Sequence, residues 1–455
     1  VSTEVRERGG QPPSAPERGS PAYRAELARL AAAARTVPGR LRSVGALLVL
    51  LVLVFGALTA WQVSGRATAS ADVVNHSAPL SDDAAQLYRS LADADTAAAT
   101  GFLQAGQETA TVRTRYNDDI RTASALLAQA AARTSADDPG QAQIQALNTQ
   151  LPVYTGLVEE AGADNRQGLP LGGAYLRYAS GQMQNTMLPE AQKLYAAETA
   201  SLHRDYAGAR SLPWAAVVLG VLALAALVRV QIGLFRRTNR VFNVGLAAAS
   251  GAVLVALLWL VVGQSVASAD LADSDTHGAA PLQVLNQARI TALQCRGAEN
   301  LNLVARGSTT AYETAWDTVS AELAGSTGYL AQARQLTAGD PAAQTPVRAA
   351  LADFTTWQQR HDTAKSANQA GDYDTAVADT IGSGSAAGGS TTDAAFQQLD
   401  AHLTAAIAQE RAHFASAAGS GRDAVAGLAV GAAVLAVLAA GAAVLGIGRR
   451  LAEYR

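Results

Sequence analysis

Two apolar runs joined by a short basic turn constrain this chain more than any other feature. Pro213–Val228, with a mixed tail to Leu234, and Val244–Gly263 can each supply roughly the 20 residues that a helix needs to cross a bilayer. A helix satisfies its backbone donors and acceptors internally, which an open strand in hydrocarbon could not do. The turn between the runs carries Arg236, Arg237 and Arg240. So tight a hairpin returns to the side it left, and the flanking segments, about 150 residues each, are expected to face one compartment.

Two further apolar runs, Ser43–Trp61 and Ala424–Ile447, complete the set. Arginines cluster at one end of each run: Arg35, Arg40 and Arg42 before the first, Arg229, Arg236, Arg237 and Arg240 around the central turn, Arg449, Arg450 and Arg455 after the last. The opposite ends carry Asp72, Asp270, Asp273 and Asp275. Basic flanks belong in the cytoplasm, which puts both termini inside and both large loops outside. The expected fold is an all-α integral membrane protein of the plasma membrane, with four transmembrane helices at 43–63, 213–234, 243–264 and 423–447. Two extracytoplasmic four-helix bundles in tandem repeat fill 64–212 and 265–422. The cytoplasmic side is left with a basic tail, 1–42, a turn, 235–242, and a second tail, 448–455. About 42 residues precede the first run, too many for the n-region of a cleaved signal peptide.

The two loops read as helical stripes. Ser81–Gln104 is a helix with Ser81 as its cap and two Asp in its first turn. Val112, Tyr116, Ile120, Ala123, Leu127 and Ala130 recur at steps of four and three, as do Ile144, Leu147, Leu151, Tyr154 and Leu157. Leu176, Ala179, Met183, Met187 and Leu194 form the fourth stripe after a Gly/Pro-rich break at Asn165–Gly173. Short connections between four stripes indicate an up-down-up-down bundle. The outer helices, 64–104 and 174–212, reach about 60 Å at 1.5 Å per residue, against about 36–40 Å for the inner pair. They would form a stalk bent at Pro79, with a membrane-distal tip at Ala105–Thr111 and Asn165–Ala174. A second bend is expected at Pro152.

The second loop repeats the plan. Ala71-Asp72 and His76 align with Ala272-Asp273 and His277 at an offset of 201, and Tyr116 falls opposite Trp316. Met187 and Leu194 align with Phe396 and Leu403 at an offset of 209, the difference being absorbed by the insertion Gly382–Thr391. An internal span-bundle-span repeat is the simplest reading.

Enzymatic signatures are missing: no phosphate loop, no HExxH, no paired cysteines, no GxSxG. No catalytic residue, metal or cofactor is expected, and a net charge of −3 offers nothing to nucleic acid. The single cysteine, Cys295, cannot close an intramolecular disulfide and reads as packed. His76 and His277 occupy equivalent stalk positions, either as solvated groups or as a pH sensor. The spans hold no charge at mid-depth, which argues against transport, since Arg229 can snorkel. Small residues recur instead: Gly427, Gly431, Ala432, Ala436 and Ala440, and Ala248, Ala252 and Ala256. Such spacing lets helices approach closely, within one copy or in a homodimer.

Candidate functional residues lie at the two ends of this plan. In Asn165–Tyr178 the apolar Leu169, Leu171 and Tyr175 sit beside Arg166 and Arg177, a docking surface if exposed and an ordinary loop if it folds back on its bundle. Tyr23–Arg35 forms a basic helix, either lying on acidic lipid or docking a cytoplasmic partner. Arg24 and Arg29, with Arg236, Arg237 and Arg240, would make the cytoplasmic output face.

A helical bundle between two spans resembles the sensor modules of chemoreceptors and histidine kinases, and Asn368–Tyr373 is similar to their break before the fourth helix. Those receptors carry a cytoplasmic relay, for which the turn Arg236–Arg240 is too short. The whole plan, with residues 38–67 and 165–180 (NRQGLPLGGAYLRYAS), resembles the actinobacterial GlnX membrane proteins. That resemblance implies a relay: an extracytoplasmic lipoprotein that binds glutamate, aspartate or glutamine, this chain across the membrane, and a soluble serine/threonine kinase inside. A scaffold that senses nothing and a bundle that binds a small ligand directly are the competing readings.

Overall fold

Every regular element among the described residues is helical. The computed structural model describes residues 37–104, 108–134, 138–238, 243–306, 309–382, 390–425 and 427–452. The first half contains α1 (Val37–Asp72), α2 (Ala78–Leu103), α3 (Ala110–Arg133), α4 (Gln141–Arg166), α5 (Leu171–Gln182) and α6 (Leu188–Arg210). Then come α7 (Trp214–Thr238) and α8 (Val244–Asp273). The second half contains α9 (Ala280–Ala305), α10 (Ala311–Ala324), α11 (Tyr329–Leu336), α12 (Pro341–Gln369), α13 (Tyr373–Ile381) and α14 (Thr392–Val425), and α15 (Leu428–Ala452) follows.

Three π-helical turns join successive helices: Val73–Ser77 before α2, Met183–Met187 before α6 and Ser274–Ala279 before α9. Each is followed by proline at the second position of the next helix, namely Pro79, Pro189 and Pro281. Proline has no N–H, and its ring collides with the carbonyl four residues back. The wider turn makes room for the ring, and Ala78, Leu188 and Ala280 each donate five residues back, to Val73, Met183 and Asp275. Where a bend was expected at Pro79, the structure therefore has a widened turn without a break. Pro152 lies inside α4, which runs through it.

Four stretches are long and apolar enough to cross a membrane, within Leu41–Leu103, Leu171–Arg236, Val244–Ala305 and Thr392–Arg449. This is an all-α, multi-pass membrane protein. The described residues fall into two compact units, one drawn from Val1–Val63, Pro213–Val262 and Gly427–Arg455, the other from Ser64–Leu212 and Gly263–Ala426.

The first unit packs α1, α7, α8 and α15 around Val52, Phe55, Leu227, Val253 and Ala439. Large apolar residues such as Leu47, Leu222, Leu258 and Val437 face outward, as a lipid-facing surface requires. Gly56 closes against Ala436, and Gly245 against Gly446, where a side chain would collide. Ala432, Ala436 and Ala440 are buried as expected. On α8 the expected stripe is one residue out of register at its start: Ala248 is exposed, and Leu246, Ala249, Val253, Ala256 and Leu260 are buried. The close approach at Gly245 fixes the helix rotation, and a list of small residues alone does not carry that information.

In the second unit the two halves, expected as separate bundles, share one continuous apolar core. α2 packs on α3 and α6 within the first half and also on α9 of the second. Both central helices are consequently buried nearly all round, α2 from Leu80 to Leu103 and α9 from Leu285 to Ala305. Their high alanine content lets them come close. Gln294 Nε2 donates to the Tyr88 hydroxyl (2.8 Å) and Asn300 Nδ2 to Thr100 Oγ1 (3.2 Å) across this contact. Further along, Tyr206 and Ser274 share a buried hydroxyl pair at 2.6 Å. The second half does not repeat the first throughout: where α3 is continuous, α10 and α11 are split at Gly325–Gly328. A Cβ on Gly328 would lie 2.8 Å from the Glu322 carbonyl oxygen, so only glycine permits that fold-back.

Candidate functional site

The break between α4 and α5 is shorter than the sequence suggested, and its form follows from one glycine. Gly168 adopts φ +70°, donates to the Asn165 carbonyl (3.0 Å), and leaves the Leu169 N–H to reach the Asp164 carbonyl (2.9 Å). This is a Schellman stop, which satisfies helix-end carbonyls and needs a left-handed residue. Pro170 then caps α5. The turn is too short for Leu169 to fold back, and it is 46% exposed; on α5, Leu171 (55%) and Tyr178 (67%) also face outward. Arg166 and Arg177 are exposed alongside, and Tyr175 is half-buried against the core. Asn165 Nδ2 donates to the Phe102 carbonyl (3.0 Å), which ties this break to the end of α2.

Beneath that rim lies a cleft of about 160 Å³, walled by Phe102, Val158 and Leu176 and reached by Glu108, Arg113, Tyr116 and Arg166. Arg113 is held between two carboxylates, Glu108 at 3.1 Å and Glu159 at 2.8 Å. Glu108 lies over Gly101, where a Cβ would come within 2.7 Å of its Oε1. Tyr116 is 4% exposed, and its hydroxyl is buried with no partner among the described residues. Burial pushes the Tyr116 hydroxyl well above its ordinary pKa, so it stays a neutral donor. Arg166 has no ion pair among the described residues.

Deeper in the same half, Asp95 is buried and accepts three hydrogen bonds: Tyr154 (3.2 Å) and Ser180 (2.9 Å) on Oδ1, Gln184 (3.0 Å) on Oδ2. Burial raises its pKa, and the three donors pull against that without a cation to help. The second half carries an ionic cluster instead. Arg296, fully buried, pairs with Glu299 and with Asp393 (2.9 Å). His361 bridges Glu299 (2.9 Å) and Glu313 (3.3 Å), is stacked on Trp316 at 3.7 Å, and Lys365 pairs with Glu313. Burial alone would lower the His361 pKa, but the two glutamates outweigh it and raise it. Burial likewise works to raise Glu299, and Arg296 and His361 reverse the balance so that its pKa is lowered.

Residues 69–207 match the family model of the actinobacterial sensor domain. The match takes in α2 to α5 and most of α6, and with them the rim, the cleft and the Asp95 shell. Together with four membrane-spanning stretches it fits an actinobacterial sensor membrane protein. No curated protein and no solved structure matches the chain. A sensing or signalling role follows from the matched region.

The expected docking residues fall together at one end of the sensor-domain region, and only Arg166 among them also lines the cleft. Of the expected output residues, Arg24, Arg29 and Arg240 lie outside the described residues, Arg236 is exposed at the end of α7, and Arg237 lies in the same helix. His76 and His277 are exposed on π-turns, and Cys295 is buried with its thiol pKa raised by that burial. Sequence reasoning missed Asp95, Arg296, Glu299 and Glu313. The available signal was a charge on an apolar, alanine-rich helix, as in Ala92–Ala99, where a buried carboxylate must find partners.

Proposed function

We propose that this chain is a non-enzymatic transmembrane signal relay. A lipoprotein loaded with glutamate, aspartate or glutamine docks on the exposed end of the first half, and a cytoplasmic serine/threonine kinase reads the result on the other face of the membrane. The observation that carries this is the rim itself: Leu169, Leu171 and Tyr178 stay exposed beside Arg166 and Arg177 on a region that matches a sensor domain. Apolar side chains clustered beside cations at a helix break mark a surface that meets a partner. The arginine-rich flanks support placing the helical halves outside and Arg24, Arg29, Arg236, Arg237 and Arg240 inside.

Duplication of a span-bundle-span unit accounts for several pairs of features. π-turns begin at Val73 and Ser274, offset by 201. Gly168 and Gly371 are both left-handed helix stops at the ends of Asn-x-x-Gly, offset by 203. Asp95 and Arg296, offset by 201, each bond a residue at the fourth helix, Gln184 and Asp393 respectively. Docking that favours one packing of the halves by a few kcal/mol would shift the equilibrium between two arrangements usefully.

The test is co-purification from membranes. Leu169→Asp with Leu171→Asp should abolish recovery of the lipoprotein while insertion is unchanged, and deletion of residues 1–35 should abolish recovery of the kinase. Full recovery of both partners with these variants rejects the relay.

A further inference from the structure

We propose that a second cleft in the first half, at the opposite end of α4 from the rim, binds a linear organic cation with ammonium groups at two or more points, as in a diamine or triamine. The site is independent of docking at the rim. Its volume is about 480 Å³, within the roughly 300–1,000 Å³ of small-molecule sites. It lies where the π-turn Val73–Ser77, the connection from α3 to α4, and α6 meet. Four carboxylates line it: Asp72, Asp138, Glu198 and Asp205. Against them stand Arg204 and His76 among the described residues, so at least two negative charges remain in excess even with His76 protonated. Arg204 does not neutralise them by contact. It donates along its own helix to the Ala200 carbonyl (3.4 Å) and the Ser201 hydroxyl (2.8 Å), and has no ion pair among the described residues.

The second observation is Glu198 itself. It is 9% exposed on α6 and has no hydrogen bond or ion pair among the described residues. Both of its carboxylate oxygens nevertheless retain accessible surface, in the wall of the cleft. Gly140, at the start of α4, leaves the carboxylate uncovered, since a Cβ there would come within 2.9 Å of Oε1. Burial pushes the Glu198 pKa up, His76 and Arg204 pull against that, and Asp138 adds to it. A buried carboxylate without a partner is costly, and an ammonium is a group that relieves it.

The placement of the carboxylates selects the shape of the cation. Among the described residues no three His, Cys, Asp or Glu side chains gather closely enough to hold a metal ion. Glu198 and Asp205 are instead two turns apart on α6, about 10 Å at 1.5 Å per residue. A chain with ammonium groups at a matching separation reaches both, where a point charge reaches one. Every lining residue falls within 69–207, the region that matches the sensor domain.

The experiment is isothermal titration of the full chain in nanodiscs of phosphatidylcholine, which has no net charge to hold the ligand itself. The probes are spermidine, putrescine, n-butylammonium and magnesium. Spermidine is expected to bind one site per chain, at least tenfold more tightly than n-butylammonium or magnesium. Glu198→Gln should weaken that binding tenfold or more and Asp205→Asn severalfold. Glu160→Gln, which removes an exposed carboxylate near the far end of α4, should leave it unchanged. Absence of spermidine heat on a folded chain, magnesium binding as tightly as spermidine, or equal weakening by all three variants overturns the proposal. Wild-type affinity in Glu198→Gln overturns it too, and leaves Glu198 only the role of facing the positive start of α4. Should Glu198→Gln fail to fold, Asp205→Asn and Asp72→Asn decide, and wild-type affinity in both overturns the site. Lipoprotein recovery reads out the rim separately, so either reading can fail alone.

Discussion

Asp95 and Arg296, one buried in each half, solve the same problem in opposite ways. A buried charge needs partners. Asp95 finds three neutral donors, and Arg296 finds two carboxylates. Asp95→Ala leaves Tyr154, Ser180 and Gln184 facing an empty space and should cost about 3 kcal/mol or more, whereas Asp95→Asn keeps an acceptor and should cost less. Denaturant melts of the two variants in detergent measure the difference. His361 makes stability depend on pH. Its folded pKa lies above the ordinary 6.5, so the folded state holds the proton more tightly than the unfolded chain. The stabilisation is fully present below about pH 6.5 and is lost as pH rises through the raised folded value. The melting temperature should fall across that window, and His361→Gln should flatten the fall. A slope unchanged in the variant would remove His361 from the account.

At the scale of elements, glycine and proline decide where helices stop and where they merely widen. Gly168 at φ +70° and Gly371 at φ +84° close stops of the same hydrogen-bonded form, the second through Gly371 to Asn368 (3.1 Å) and Asp372 to Ala367 (3.0 Å). Alanine at either position forces a left-handed backbone on a residue with a Cβ, a cost of about 1–2 kcal/mol. Urea unfolding midpoints of Gly168→Ala and Gly371→Ala should both move down without a change in slope. Gly278 sits on a π-turn against α14, where a Cβ would lie 2.9 Å from Phe414 Cα. Backbone cannot yield there as a flexible side chain would. Gly278→Ala should therefore cost about 1–3 kcal/mol, seen in the same midpoint. The glycines and prolines themselves were legible, and Asn165–Gly173 was read as a break. What the break became, a four-residue turn with Leu169 outside, depended on which carbonyls the turn amides could reach.

At the scale of the molecule, α2 and α9 behave as one shared spine. Each is buried on the side facing its own half and on the side facing the other. Residues 64–212 or 265–422 expressed alone would expose the alanine-rich face of one spine helix, with Tyr88 or Gln294 deprived of its partner. Each piece alone should aggregate or self-associate, and the two co-expressed should co-purify as a 1:1 complex, which size-exclusion chromatography with light scattering distinguishes. Two well-behaved monomers would show that the shared core contributes little.

The sequence by itself determined the helical class, the four spans, the break at Asn165–Gly173 and the small-residue contacts of α15, because each depends on local periodicity, on length against bilayer thickness, or on the backbone freedom of one residue type. Only tertiary structure decided that the two halves share a core, that α8 turns Ala249 inward and Ala248 outward, that Asp95 and Arg296 find partners, and that Tyr116 is left without one. Those outcomes rest on contacts between residues far apart in sequence, as when Tyr154 bonds Asp95, 59 residues away, or Gly245 closes against Gly446. Periodicity identifies the buried face of a helix, and it carries no information on which distant helix will cover it.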